Sequence, residues 1–130
     1  MKILGIGVDV IQNKRIKSLI NNKKFLQRTF GKNEVKFSKN TVNKTNYFAK
    51  RFAAKESFAK SLGTGFRNSL NFNDIEILND KIGMPYYLIS KKIDNIVSQR
   101  FKVRRYNLFL SITDEKDYSV AFTILQKKWT

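Results

Sequence analysis

The sequence predicts an α+β domain, an antiparallel sheet packed with helices. Three observations predict it. Residues 2–11 form an Ile/Val/Leu-rich run containing two glycines, residues 46–62 carry a helical apolar period, and the last quarter holds two strand-like runs joined by a charged turn. The chain has 130 residues, 42% of them hydrophobic and eleven of them Phe, which is enough for one core. Residues 1–130 are therefore expected to be a single domain, with no internal repeat and no low-complexity tract.

Each element has its own signal. In the opening strand Leu4, Ile6, Val8 and Val10 alternate with Gly5, Gly7 and Asp9, so the two sets lie on opposite faces. The glycine face leaves room for something bulky or for another backbone. Residues 14–29 read as helical with a break at Asn21-Asn22, and Asn33 is expected to cap a short helix ending near Ser38. Residues 39–46 read as a polar loop. At 100° per residue from Phe48, Phe52, Ala49, Ala53 and Ala59 of the 46–62 helix fall within one arc. Glu56 falls inside that arc at about 80°, with Lys60 one turn further on. A carboxylate there is costly unless paired, hydrogen-bonded or metal-bound. Gly63 ends the helix. Residues 75–78 and 86–88 read as a hairpin around Gly83-Met84-Pro85, residues 91–99 as a helix, and 108–113 and 118–125 as the closing strand pair.

Composition removes whole classes of chemistry. The chain has no Cys and no His, which excludes disulfides, thiolate nucleophiles, Cys/His zinc sites and Ser–His pairs. Catalysis is left to carboxylates, Lys, Tyr, hydroxyls, backbone N–H groups or a hard cation such as Mg²⁺. The apolar opening stops at Asp9, too short for a signal sequence or a membrane span, so a cytoplasmic protein is expected.

Twenty-six Lys and Arg against ten Asp and Glu give a net charge of +16. Residues 12–60 hold 14 of the cations and two acids, whereas residues 61–130 hold 11 cations and seven acids. The first half thus presents a basic surface suited to nucleic acid, a phosphate-bearing small molecule or an acidic protein. The segment Phe101-Lys102-Val103-Arg104-Arg105-Tyr106 mixes aromatics with cations, so a small RNA-binding or ribosome-associated module is the competing reading.

Two segments resemble one family. Gly5-Ile6-Gly7-Val8-Asp9-Val10 with Arg15-Ile16, and residues 48–65 running from Phe48-Ala49-Lys50-Arg51-Phe52-Ala53-Ala54-Lys55-Glu56-Ser57 to Gly63-Thr64-Gly65, look like the paired motifs of the holo-[acyl-carrier-protein] synthases, which are 4′-phosphopantetheinyl transferases. Weaker agreement extends through residues 71–74, Gly83-Met84-Pro85 and the closing strands. The resemblance implies the small 4′-phosphopantetheinyl transferase fold. It also implies transfer of the phosphopantetheine arm of coenzyme A to a serine of an apo-acyl carrier protein, leaving adenosine 3′,5′-bisphosphate and serving fatty acid biosynthesis. It implies Mg²⁺ held by Asp9 and Glu56, a homotrimer with sites at subunit interfaces, and no nucleic-acid partner.

Further roles follow from the same resemblance. Lys60, one turn beyond Glu56 on the same stripe, is the candidate cation for the transferring phosphoryl group; the resemblance implies that Arg51, Lys55, Gly83 and Pro85 lie against the coenzyme, and Gly63 and Gly65 would allow its close approach to the backbone. Arg15, Leu19, Lys24 and Phe25 dock the acidic carrier. Glu56 leads as general base, with a metal-bound water acting through a carboxylate as the alternative. Read singly, Asp9 is equally a strand-end cap, Glu56 an i,i+4 partner of Lys60, and Arg51 and Lys55 solvated helix surface. Gly63 and Gly65 are equally a helix terminator, Gly83 and Pro85 an ordinary hairpin, and the docking residues a solvated face. Two positions depart from the family pattern. Many members read Ser-Ile-Ser-His-Thr where this chain has Ser111-Ile112-Thr113-Asp114-Glu115, and a Glu where this chain has Gln12.

Overall fold

A computed structural model describes residues 2–67 and 69–129. Strand β1 (Lys2–Gln12) leads into helices α1 (Asn13–Leu19), α2 (Lys23–Thr29) and α3 (Lys32–Ser38), then the long α4 (Lys44–Leu62). A 3₁₀ turn at Phe72–Asp74 precedes β2 (Glu76–Asn79) and β3 (Pro85–Leu88). Helix α5 (Lys91–Phe101) and strands β4 (Tyr106–Asp114) and β5 (Tyr118–Lys127) follow. The break between α1 and α2 falls where Asn21-Asn22 predicts it, and the Asn22 side chain accepts from the N–H groups of Lys24 and Phe25 to cap α2.

The larger sheet has the order β1-β5-β4 and is antiparallel throughout, so the two chain ends meet with Asp9 opposite Ala121 and Gly7 opposite Thr123. β2 and β3 form a separate two-stranded ribbon. Helix α4 lies across the inner face of the larger sheet, against β1 and β5. Small residues let it come close: Ala49, Ala53, Ala54, Ser57 and Ser61 are buried on the helix, and Ser119, Ala121 and Thr123 on β5. The glycines of β1 complete the fit. A Cβ on Gly5 or Gly7 would overlap the backbone carbonyl of Ser61 or Ser57. Of the two occupants the sequence allows for the glycine face, the one found is the backbone of α4.

The opposite face of the same sheet is bare and apolar. Ile6, Val8, Val10, Phe109 and Phe122 are 40–61% exposed, and Val8 is the register partner of Phe122. An apolar band across three strands is unusual on a surface facing only water.

One expectation is corrected. Helix α3 starts one residue before Asn33 and is capped at Gly31. The carboxylate of Glu76 accepts the N–H groups of Asn33 and Glu34 at 3.0 and 3.4 Å, so a side chain from another element satisfies this helix end. Glu76 also fills the space that a Cβ on residue 31 would need. No helix among the described residues is long and apolar enough to cross a membrane.

Candidate active site

Asp9 lies two residues beyond Gly7 and shares its face, so it points towards α4 with its side chain 16% exposed. From α4, the Lys60 ammonium donates to the Val8 carbonyl at 2.9 Å and to Asp9 Oδ1 at 3.2 Å. Glu56 stands one turn before Lys60 and is half-buried. Burial raises the Asp9 pKa, while the bond to Lys60 and the charge of Arg15 oppose that rise. Burial raises the Glu56 pKa too, and the neighbouring Asp9 carboxylate raises it further against the pull of Lys60. The close approach of β1 and α4 therefore brings the Asp9 charge within reach of Glu56, while the Lys60 ammonium is bonded to Asp9.

That donor set suits a hard cation. Two carboxylates and no imidazole or thiolate is the chemistry of Mg²⁺, which commonly takes one or two protein carboxylates and fills its remaining positions with water and phosphate oxygens. Among the described residues no group of three or more His, Cys, Asp or Glu side chains is placed to hold a metal ion. Lys60 pairs with Asp9 in preference to the i,i+4 bond with Glu56 that helical spacing offered.

A second constellation lies elsewhere on α4. A cleft of about 590 Å³ is lined by Lys50, Arg51, Asn79, Tyr86 and Asp114, among others, and Gly83 and Pro85 line an adjoining hollow with Arg51. The Arg51 guanidinium stacks 3.7 Å from the Tyr47 ring centroid. It donates through Nη1 to the Tyr47 carbonyl at 3.3 Å and through Nη2 to Asn79 Oδ1. Arg51 Nε is buried without a partner, an unmet donor on a residue that lines a cleft. Residues 51 and 56 are about 140° apart around an ideal helix and about 7.5 Å apart along it. Neither Asp9, Glu56 nor Lys60 lines this cleft.

Lys55 is a correction. Its side chain is wholly buried and its ammonium donates to Glu34 Oε1 at 2.6 Å, to the Phe72 carbonyl at 3.1 Å and to the Ile75 carbonyl. All three of its donors are spent inside the protein, so none is left for a coenzyme phosphate. The other positions vary. Gly63 takes φ +77° as the left-handed cap of α4, and Gly65 is also left-handed. Arg15, Leu19 and Lys24 are exposed on α1 and α2, with Arg15 near enough to Asp9 to influence its charge. Phe25 is half-buried and packs edge-on against Phe30. Sequence reasoning missed Lys50, Asn79 and Tyr86, because the cleft is assembled from separate elements and no spacing marks it.

Comparison with known proteins points to one family. Residues 5–123 match the model of the 4′-phosphopantetheinyl transferase superfamily. The chain is 53% identical over 128 residues to a holo-[acyl-carrier-protein] synthase of Pelagibacter ubique, covering 98% of this chain and all of that one. Among solved structures, it is similar to a holo-[acyl-carrier-protein] synthase from Neisseria meningitidis, with a TM-score of 0.86, 34% identity and coverage of 97% and 100%. It is also similar to one from Bacillus anthracis in complex with CoA (3′,5′-ADP), with a TM-score of 0.80, 33% identity and coverage of 97% and 98%.

Proposed function

The chain belongs to the 4′-phosphopantetheinyl transferase superfamily, and from that premise we propose that it is a holo-[acyl-carrier-protein] synthase acting in the cytoplasm for fatty acid biosynthesis. It moves the 4′-phosphopantetheine group of coenzyme A onto a serine hydroxyl of apo-acyl carrier protein. The phosphoester bond to that serine forms as the diphosphate bond of the coenzyme breaks, and adenosine 3′,5′-bisphosphate departs. The observation that carries the reading is the bond from Lys60 on α4 to Asp9 on β1, with Glu56 one turn before Lys60 and under the influence of the Asp9 charge.

Asp9 and Glu56 would hold Mg²⁺, which when bound supplies charge neutralisation at the diphosphate and stabilises the leaving group. Lys60, anchored over Asp9 and open to solvent on its outer side, donates to the transferring phosphoryl group. Glu56 takes the serine proton. Arg51, Gly83 and Pro85 hold the nucleotide end, with the unmet Nε of Arg51 in support. Gly63 and Gly65 let the coenzyme approach the backbone beyond α4. Arg15 and Lys24, beside Leu19 and Phe25, steer and seat the acidic carrier.

The carboxylates and the nucleotide cleft occupy different sides of α4. A homotrimer unites them: the bare apolar face of β1, β5 and β4 is buried between copies, and one copy's cleft meets another's carboxylates. The test uses purified protein, coenzyme A, Mg²⁺ and apo-carrier. The carrier mass is expected to rise by one phosphopantetheine, and only when Mg²⁺ is present. An unchanged carrier mass with well-folded protein overturns the reading.

A further inference from the structure

The nucleotide cleft contains a residue that works against its purpose. Asp114, the last residue of β4, is the one acid among the residues lining the cleft, where Lys50 and Arg51 supply the positive charge. Its placement is fixed. Asn46 Nδ2 donates to Asp114 Oδ2 at 2.8 Å and to the Glu115 carbonyl at 3.1 Å, tying the end of β4 to the start of α4. Asp114 Oδ1 lies 3.9 Å from the Lys50 ammonium, with both side chains about one-third exposed.

A carboxylate so placed does two things to an incoming phosphate. It partly balances the ammonium 3.9 Å away that the phosphate would use, and it repels the phosphate directly. The chain has only ten acids to spend against 26 cations, so a carboxylate in this position is not a product of overall acidity. Its hydrogen bond with Asn46 does not require a charge, since an amide oxygen can accept in the same place, though more weakly. The charge is therefore not required for the bond that ties the end of β4 to α4.

We propose that Asp114 is a counter-charge that weakens the hold of the cleft on phosphate-bearing nucleotide, so that the bisphosphate product leaves and coenzyme A replaces it. This rests on the assignment of the cleft to the nucleotide end of coenzyme A. Asp114 competes with the phosphates for Lys50 and returns to it when the nucleotide departs. It is a tuning residue for affinity and takes no part in bond making.

The substitution Asp114→Asn isolates the charge, because it keeps the size and the acceptor oxygen. Binding of adenosine 3′,5′-bisphosphate and of adenosine to the assembled protein is measured by calorimetry at low and high salt. The variant is expected to bind the bisphosphate about three- to tenfold more tightly at low salt, with the gain shrinking at high salt and adenosine binding unchanged. Product inhibition strengthens in step. Equal or weaker bisphosphate binding by a folded Asp114→Asn protein overturns the proposal, and so does an equal gain for adenosine, which would assign the carboxylate to the base. Failure of the wild-type protein to bind the bisphosphate at all would instead overturn the assignment of the cleft.

Discussion

Lys55 and Glu56 are consecutive residues of α4, yet the protein treats their charges in opposite ways. Lys55 turns into the core and meets Glu34, whose two carboxylate oxygens also accept the N–H groups of Gly31 and Ile77. Tyr47 donates its hydroxyl proton to the Glu34 carbonyl at 2.6 Å, so α3, α4 and β2 are joined around one satisfied ion pair. Glu56 lies within reach of the charge of a second carboxylate, Asp9, whose own partner is the Lys60 ammonium. The first arrangement matches opposite charges and uses up every donor. The second sets like charges near enough to raise the Glu56 pKa. Like charges brought together at a cost to the fold are a physical pointer towards function, and they support the proposed site.

The largest effect expected from this contrast is on turnover. Glu56→Gln should lower the rate of carrier modification by at least about 10³-fold, about 4 kcal/mol of transition-state stabilisation, because a charge-neutral amide is a poor ligand and no base. Its stability should not fall. The Glu56 carboxyl holds its proton more tightly in the fold than in the unfolded chain, so at pH 7, with the group ionised, its charge opposes folding; an amide removes that penalty. The melting temperature should be unchanged or higher. A variant that loses stability and activity together would erase the distinction between the two neighbours.

On the other side of the helix the pattern should invert. Lys55→Met strands the Glu34 carboxylate in the interior and should cost about 3–5 kcal/mol of stability, measured by urea denaturation. Adding Glu34→Gln removes the stranded charge while keeping an acceptor for one of the two backbone N–H groups, and should recover about 2 kcal/mol. Whatever fraction of the single variant remains folded should still modify the carrier. If the double variant is no more stable than the single, the buried pair is not the joint that the geometry describes.

The same contrast explains what was legible in the sequence. The alternation of β1 and the period of α4 placed Asp9 and Glu56 on definable faces, and the motif resemblance joined them. The facing of Lys55 was not legible, because its partner is 21 residues away on a short helix and adjacent residues in a motif look alike in function. Nor did alternation reveal which side of β1 is covered. The apolar stripe of Ile6, Val8 and Val10 would ordinarily mark the core, but the glycines admit a helix backbone that bulkier residues would exclude, so the stripe faces outward. The cap of α3 was misplaced for a similar reason, since Glu76 reaches it from 43 residues away. The cleft drew on α4, the β2–β3 ribbon and the end of β4 at once, and no local pattern carries that information.

The smallest effect is the most direct probe of the carboxylate pair. In metal-free protein, the Glu56 side-chain carboxyl carbon followed by NMR should titrate above the pH of an exposed glutamate, because burial and then the Asp9 charge favour its protonated form. Asp9→Asn should move that titration down towards the ordinary value for two reasons of the same sign. The like charge is gone, and Lys60, released from its bond to a carboxylate, is left to balance Glu56 alone. The titration should stay somewhat high, since burial is untouched. A Glu56 titration that does not move when Asp9 is neutralised would mean that the two acids do not feel one another, and a cation gripped by both would then have no physical basis in this fold.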